Sequence, residues 1–324
     1  MVQNLKEIIE NAEKMGEGKN SAAYKNGDYI IRVPIQERAR QGYLKEAEYS
    51  QLIQHSDDEF LKSRLPDVQY IKEDGFEGAV HQELKGKTCI DGKNCSEDNL
   101  HFDDLSVLQK SILASEVGQF LGHLHNFPVQ GFEVSEQVGF QFENTQDMKQ
   151  RNTEFYTEKG IEYRAPAEKS SNLVVCHNDF HGGNMALNDK AQSVGVLSGV
   201  FDLGEMGLNV PAKDFMTLYS SYGRAFVRES LSSYNEIAKQ KMSMEELDYH
   251  FLNKMAEWHF YFEKENPEKL GMVENSLKDF SADKKKEVRE KMLGLSGRKQ
   301  EEHKKTEKSS GNVCSRNISR GREM

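Results

Sequence analysis

The chain has 324 residues, with 43 Lys and Arg against 53 Asp and Glu and a formal net charge of −10. That length suits two domains with a substantial core, and the acidic balance argues against nucleic acid as a partner while agreeing with a cationic substrate. Cys89, Cys95, Cys176 and Cys314 show no Cys-x-x-Cys spacing, the N-terminus carries acidic residues and no long apolar core, and no apolar run is long enough for a bilayer, so the expectation is a cytoplasmic protein without disulfides, secretory signal or membrane partner.

In chain order, residues 4–15 read as a short amphipathic helix with Leu5, Ile8, Ile9 and Ala12 on one side. Gly16-Glu17-Gly18-Lys19-Asn20-Ser21 then reads as a turn and Asn26-Gly27 as a hairpin signal. Tyr29 to Val33 is a strand stopped by Pro34, and residues 42–55 form a helix with Leu44, Ala47, Leu52 and Ile53 as packing positions. Strands over Val68 to Ile71 and Gly78 to Gln82 complete a small, mostly antiparallel sheet that carries one helix. Lys85-Gly86-Lys87 marks a boundary, which gives lobes over 1–86 and 87–295. Residues 104–125 form the clearest helix, with Leu105, Leu108, Ile112, Val117, Phe120, Leu121 and Leu124 at helical spacing and Pro128 beyond the end. Residues 141–172 are polar and poor in large aliphatics, and read as an exposed helix and loop or as a mobile segment near the site. Residues 211–293 read as several helices, with Phe251, Met255, Trp258 and Phe262 at helical spacing. Residues 296–324 lose apolar content and read as a disordered tail.

Two segments carry the chemistry. The apolar run Leu173-Val174-Val175-Cys176 feeds into His177-Asn178-Asp179-Phe180-His181-Gly182-Gly183-Asn184. A second run, Val194-Gly195-Val196-Leu197, leads through Ser198-Gly199-Val200 to Phe201-Asp202-Leu203-Gly204. Each reads as a short buried strand ending in a polar turn. Two carboxylates and an amide at strand ends suit phosphoryl transfer. Asp179 can accept the proton of a substrate hydroxyl, and Asn184 and Asp202 can offer oxygens to Mg²⁺. A zinc site between His177 and His181 is the competing reading, but the pair lacks the helical His-Glu-x-x-His spacing.

These motifs resemble the catalytic and metal segments of the aminoglycoside phosphotransferase and choline kinase superfamily, closest to the bacterial aminoglycoside 2″-phosphotransferases, and the resemblance covers roughly residues 15–265. It implies an α+β, two-lobed, protein-kinase-like fold with a small antiparallel β-rich N-lobe and a larger, mainly helical C-lobe. It implies ATP or GTP as phosphoryl donor with Mg²⁺, and a small cationic acceptor. By this resemblance Asp179 matches the catalytic Asp, His177 a residue that braces its loop, and Asn184 and Asp202 the metal ligands. Gly16, Gly18, Asn20 and Ser21 match a phosphate-facing turn, and Gln82 to Leu84 a linker whose backbone meets the base. Asp214 matches a buried support. Arg32 stands where the family usually has a phosphate-holding lysine, with Glu46 as its acidic partner and Glu48 as the competing one. Asn209-Val210 replaces the family's usual Gly-Asp. Glu205, and Trp258 and Glu263 on a late helix, fall where an acceptor would bind. An aminoglycoside-like acceptor is the first expectation. A choline-like, amino-alcohol or amino-sugar acceptor, or a non-catalytic nucleotide-binding role, are the alternatives.

Overall fold

The computed structural model describes residues 11–18, 20–73, 76–90, 100–135, 146–167, 172–188 and 195–290. The expectations for Leu5, Ile8, Ile9, Cys95, Cys314 and the 296–324 tail lie outside them. The chain divides into two compact units, Met1–Leu270 and Gly271–Met324. In the second, residues 271–290 are helical.

The first unit begins with β1 (Glu13–Glu17), β2 (Ser21–Asn26) and β3 (Tyr29–Pro34), followed by α1 (Glu37–Gln54), α2 (Glu59–Arg64), β4 (Gln69–Glu73) and β5 (Phe76–Gln82). The strands form one antiparallel sheet in the order β1-β2-β3-β5-β4. The β2–β3 hairpin turns at Gly27, whose φ of 59° suits glycine. The described end of the helix expected over 4–15 is corrected here: Glu13 to Glu17 pair with Lys25 to Ala22 as an edge strand, and Ala12 packs on the Ile31–Val80 cluster, while residues 4–10 lie outside the described residues. Pairing with β2 overrides the local helical pattern. Helix α1 buries Tyr43, Glu46, Tyr49, Ser50 and Ile53, while Leu44 and Leu52 face solvent. The buried face carries a glutamate, so reading it from apolar spacing alone misplaced two of its four positions.

After β6 (Lys87–Ile90) and β7 (Leu100–His101), α3 (Val107–Asn126) opens on a reciprocal cap between Ser106 and Gln109. Leu113, Val117, Phe120, Leu121 and Leu124 enter the core, whereas Leu108 is exposed. Each such buried side chain contributes about 1.5–3 kcal/mol. Helix α4 (Gln146–Glu158) buries Asn152, Phe155 and Tyr156. Next come β8 (Val174–Cys176), β9 (Met185–Leu187), β10 (Leu197–Val200) and β11 (Gly207–Asn209), then α5 (Ala212–Ile237) and α6 (Met244–Glu265). The strands form two small sheets, β10-β9-β6-β7 and β11-β8. Strand β10 starts at Leu197, later than the apolar run suggested. The Glu116 carboxylate takes the N–H groups of Val196 (2.7 Å) and Leu197 (2.6 Å), while Val196 O accepts from Asn188 N (2.8 Å).

Helices α3 and α5 form the spine of this helical part. They cross so closely at Gly118 that a Cβ there would overlap the carbonyl oxygen of Ser230. Helix α5 kinks at Gly223 (φ 78°), and the next residue, Arg224, makes a buried two-pronged pair with Asp248 of α6 at 2.9 and 3.0 Å. The architecture is therefore an antiparallel N-terminal sheet followed by a mainly helical C-terminal part, as the sequence led one to expect. Among the described residues, no helix is long and apolar enough to cross a membrane.

Candidate active site

Strand β8 is buried throughout and delivers the chain into a sharp turn at Asn178, which adopts a left-handed φ of 67°. Asn178 is suited to that conformation, and its side chain is fully engaged. Its amide N–H₂ donates to Glu205 O (2.9 Å), and its carbonyl accepts from Asn209 Nδ2 (2.9 Å). Asn209 is one of the two departures from the family pattern, and this pair gives it a structural role.

The turn is fastened from below by Asp214 in the first turn of α5. Asp214 is fully buried. Its Oδ1 accepts from Asn178 N (2.8 Å), and its Oδ2 from His177 N (2.9 Å) and His125 Nε2 (3.1 Å). Burial alone would push this carboxyl up. The hydrogen bond from His125 and the nearby imidazoles outweigh it and hold the carboxyl below its ordinary range. Cys176 completes a buried trio with His125 and Asp214 whose ligand atoms lie within 4.8 Å of one another. Burial, with Asp214 beside it, pushes its thiol far up, so it remains protonated. The sequence reading missed His125. Its signal was a histidine on the apolar face of α3, and its Nδ1 meets Tyr234 Oη at 3.1 Å.

His177 is fully buried and donates from Nε2 to Phe201 O (3.0 Å), joining the two motifs. Its Nδ1 has no partner among the described residues. Among the described residues the group of three side chains placed to share a metal ion is His125, Cys176 and Asp214, which does not contain the His177–His181 pair of the zinc reading. Phe180 is buried and stacks on Phe120 at 5.6 Å. Asp179 and His181 flank it, and both are partly exposed. Asn184 Nδ2 donates to Asp179 O (2.9 Å) and Oδ2 (3.3 Å), which leaves the Asn184 carbonyl oxygen for another partner. His181 lies 3.5 Å from Asp179 Oδ2. Its hydrogen bonding lowers the pKa of Asp179, which in turn raises that of His181.

Antiparallel pairing of β9 with β10 sets Met185 opposite Val200, and Phe201 N donates to Asn184 O (3.0 Å). Asn184 and Asp202 thus emerge from neighbouring strand ends. Asp202 is half exposed and left-handed (φ 63°), a backbone state that costs of order 1–3 kcal/mol and is held only by its surroundings.

Those surroundings are α1. Glu46, fully buried, accepts from Leu203 N (3.1 Å) and from Arg32, and Arg32 also reaches Asp202 Oδ1 (3.4 Å). Glu46 is therefore the partner of Arg32, while Glu48 is exposed. Burial opposes the charge on Arg32, but Glu46 and Asp202 keep it raised; its guanidinium lies 4.7 Å from the Tyr43 ring. Two further contacts align with Glu46 on α1. A Cβ on Gly42 would lie 3.9 Å from Gly204 Cα, and Arg38 pairs with Glu205 at 3.1 Å. Residues 38, 42 and 46 thus meet 205, 204 and 203 in turn. Glu205, expected near an acceptor, is placed against Arg38.

The expected phosphate turn lies between β1 and β2. Gly18 N donates to Ser21 O (2.9 Å), and Asn20 O accepts from Ile35 N (2.8 Å); a Cβ on Gly16 would meet nothing within 4 Å. Gln82 is exposed at the end of β5, and Leu84 lies against Gly199. On α6, Lys254 stands 5.0 Å from the Trp258 ring, and Glu263 is exposed. Lys213, next to Asp214, feels both Lys254 and Asp179. Burial and Lys254 push its ammonium down, while Asp214 and Asp179 oppose them.

Comparison with known proteins agrees with this arrangement. A search of curated protein sequences finds no match. Among solved structures, the GDP and kanamycin complex of aminoglycoside phosphotransferase APH(2″)-IIIa is similar with a TM-score of 0.55 at 18% identity, over 85% of this chain and 93% of that one. The streptomycin–ATP ternary complex of APH(2″)-IIa gives 0.53 at 19%, over 82% and 95%. The apoenzyme of macrolide 2′-phosphotransferase MphH from Brachybacterium faecium gives 0.51 at 15%, over 82% and 90%. At these identities the likeness establishes a shared fold. The sequence itself matches the phosphotransferase enzyme family over residues 21–243. The chain belongs to that family and is a phosphotransferase.

Proposed function

We propose that the chain transfers the γ-phosphoryl group of ATP or GTP to a hydroxyl of a small cationic acceptor, aminoglycoside-like in the first instance. The observation that carries this reading is the meeting of Asp179, Asn184 and Asp202 at adjoining strand ends with Arg32 reaching Asp202 from the sheet. The net charge of −10 supports a cationic acceptor, and proteins of this fold have been solved with kanamycin and streptomycin. A choline-like, amino-alcohol or amino-sugar acceptor fits the same arrangement.

The residues fit the groups this reaction needs. Arg32 Nε is buried without a partner, a donor suited to a phosphate oxygen. Asn184 and Asp202 offer the hard oxygen donors that Mg²⁺ takes, alongside nucleotide phosphates. Mg²⁺, when bound, neutralises phosphate charge. The chain's own part is positioning and proton transfer. Asp179 orients the acceptor hydroxyl and takes its proton as the new O–P bond forms and the bond to the departing diphosphate breaks. His177 and Asp214 hold the loop, and Glu46 holds Arg32. The 16–21 turn, with Gly16, Gly18, Asn20 and Ser21, and the linker from Gln82 to Leu84 face the nucleotide. Lys213 and Lys254, close to Asp179 and Trp258, favour as a second reading an acceptor that also carries an anionic group.

The test is purified protein with ATP or GTP against kanamycin, choline, homoserine and amino sugars, read by phosphate balance and product mass. A phosphorylated product that disappears in Asp179→Ala, with turnover down by about 10²–10⁴-fold, supports the reading. Nucleotide binding with no product across the panel supports a non-catalytic role instead.

A further inference from the structure

His181 stands in the catalytic turn without a role in the scheme above. Phe180 is anchored in the core between Asp179 and His181, so the carboxylate and the imidazole emerge side by side. His181 Nδ1 accepts the N–H of Gly183 at 3.0 Å. That bond fixes the tautomer: the proton of the neutral ring sits on Nε2, which points to Asp179 Oδ2 at 3.5 Å. The separation is at the long limit for a hydrogen bond, as is common for catalytic contacts before substrate binds. Asn184 Nδ2 donates to the same oxygen at 3.3 Å. Among the described residues nothing donates to Asp179 Oδ1.

We propose that His181 is a positioning residue for Asp179: together with Asn184 it pins Oδ2, so that Oδ1 is turned toward the acceptor and takes the proton. The proposal rests on the phosphotransfer reading of this site. A second observation supports it. A Cβ on Gly183 would lie 2.8 Å from His181 Cε1 and 2.9 Å from Nδ1. The turn admits the imidazole in this orientation only because position 183 has no side chain. Gly183→Ala therefore displaces the ring without removing it.

The experiment combines His181→Ala, His181→Gln, Gly183→Ala and the double variant His181→Ala/Gly183→Ala. Turnover is read with ATP and either kanamycin or water as acceptor. Melting curves confirm folding, and crystal structures of wild type and His181→Ala report the Asp179 carboxylate. The expected result is a drop in kcat of about tenfold or more in His181→Ala and Gly183→Ala, with KM for ATP unchanged. His181→Gln, which keeps an N–H donor, recovers most of the rate. The double variant is no worse than His181→Ala, because the ring that a methyl group at position 183 would displace has gone. In the crystals, Asp179 holds one orientation in wild type and takes more than one in His181→Ala. The proposal is overturned if His181→Ala keeps wild-type kcat, if His181→Gln fails to rescue while the two losses multiply in the double variant, or if Asp179 keeps its single orientation without His181. A wild type inactive on both acceptors overturns the phosphotransfer reading instead, and the crystal structures still decide whether His181 holds Asp179.

Discussion

Replacing Asp214 with Asn keeps the shape of a fully buried side chain and changes what it can accept. The wild-type carboxylate takes three hydrogen bonds, from Asn178 N at 2.8 Å, His177 N at 2.9 Å and His125 Nε2 at 3.1 Å. A carboxamide with its oxygen in the Oδ2 position keeps two of these and sets its own N–H₂ against the Asn178 N–H. The reverse orientation loses two. Hydrogen bonds to a charged group are worth about 1.5–3 kcal/mol each, so the better orientation costs about 2–4 kcal/mol. At roughly 2–4 °C per kcal/mol for a domain of this size, the melting temperature falls by about 5–15 °C. Turnover falls as well, because the same bonds place the backbone on which Asp179 stands. The pH dependence supplies a control. The folded-state pKa of Asp214 is lowered, so its stabilisation is present above the unfolded carboxylate pKa of about 3.9 and is lost as pH falls through the lower folded value. The gap between wild type and variant should stay constant from neutral pH down to about 5 and close in stronger acid. Thermal melts across pH, paired with initial rates, make the measurement. A variant that melts with wild type, or one that is destabilised while its turnover is untouched, would refute the claim that Asp214 fastens this turn.

Arg32→Ala should weaken nucleotide affinity by about 10–100-fold, since a charge-assisted phosphate contact is lost. Arg32→Lys should retain binding, and fluorescence titration with ATP and GTP separates the two. Asp202→Asn should abolish transfer and the nucleotide-dependent binding of Mg²⁺; tight Mg²⁺ binding without nucleotide, unaffected by the substitution, would contradict the metal assignment. Burial, with Arg32 adding to it, pushes the His81 imidazole down from 6.5 to about 4. The unfolded chain takes up that proton first, so stability should fall as pH drops from 6.5 toward 4, by up to about 3 kcal/mol. Melts of His81→Phe over this range should show a shallower decline.

The sequence made some of these relations readable and hid others for physical reasons. Asp179, Asn184 and Asp202 could be picked out because Asp179 and Asp202 follow short buried strands and Asn184 leads into a third, β9, which pairs with the strand before Asp202. The N-lobe sheet was legible from its hairpin and its Pro34 stop. Strand β1 was not, because its five residues are all exposed and only its partner β2 makes it a strand. The Asn178–Asn209 pair spans 31 residues, and the anchoring of His125 to Asp214 spans 89. Neither leaves a local pattern, and His125 looks like one polar interruption of an apolar helix face. The choice of Glu46 over Glu48 as partner of Arg32 depends on which face of α1 turns inward. That face is set by the turn after Asp202 as much as by the residues of the helix.

The three contacts between α1 and that turn bear on what length changes the chain can tolerate. Arg38, Gly42 and Glu46 recur every four residues, and each meets a successive residue of the segment 205–203. An inserted or deleted residue within this stretch would rotate everything beyond it by about 100° and shift it by about 1.5 Å. Glu46 would then be carried away from both Leu203 and Arg32 while Arg38 stayed in place. Point substitutions remove one contact at a time, whereas a single-codon insertion or deletion uncouples the sheet from the Asp202 turn at one stroke. Lineages carrying this arrangement should therefore vary in the loops that flank α1 and keep the count from Arg38 to Glu46 fixed.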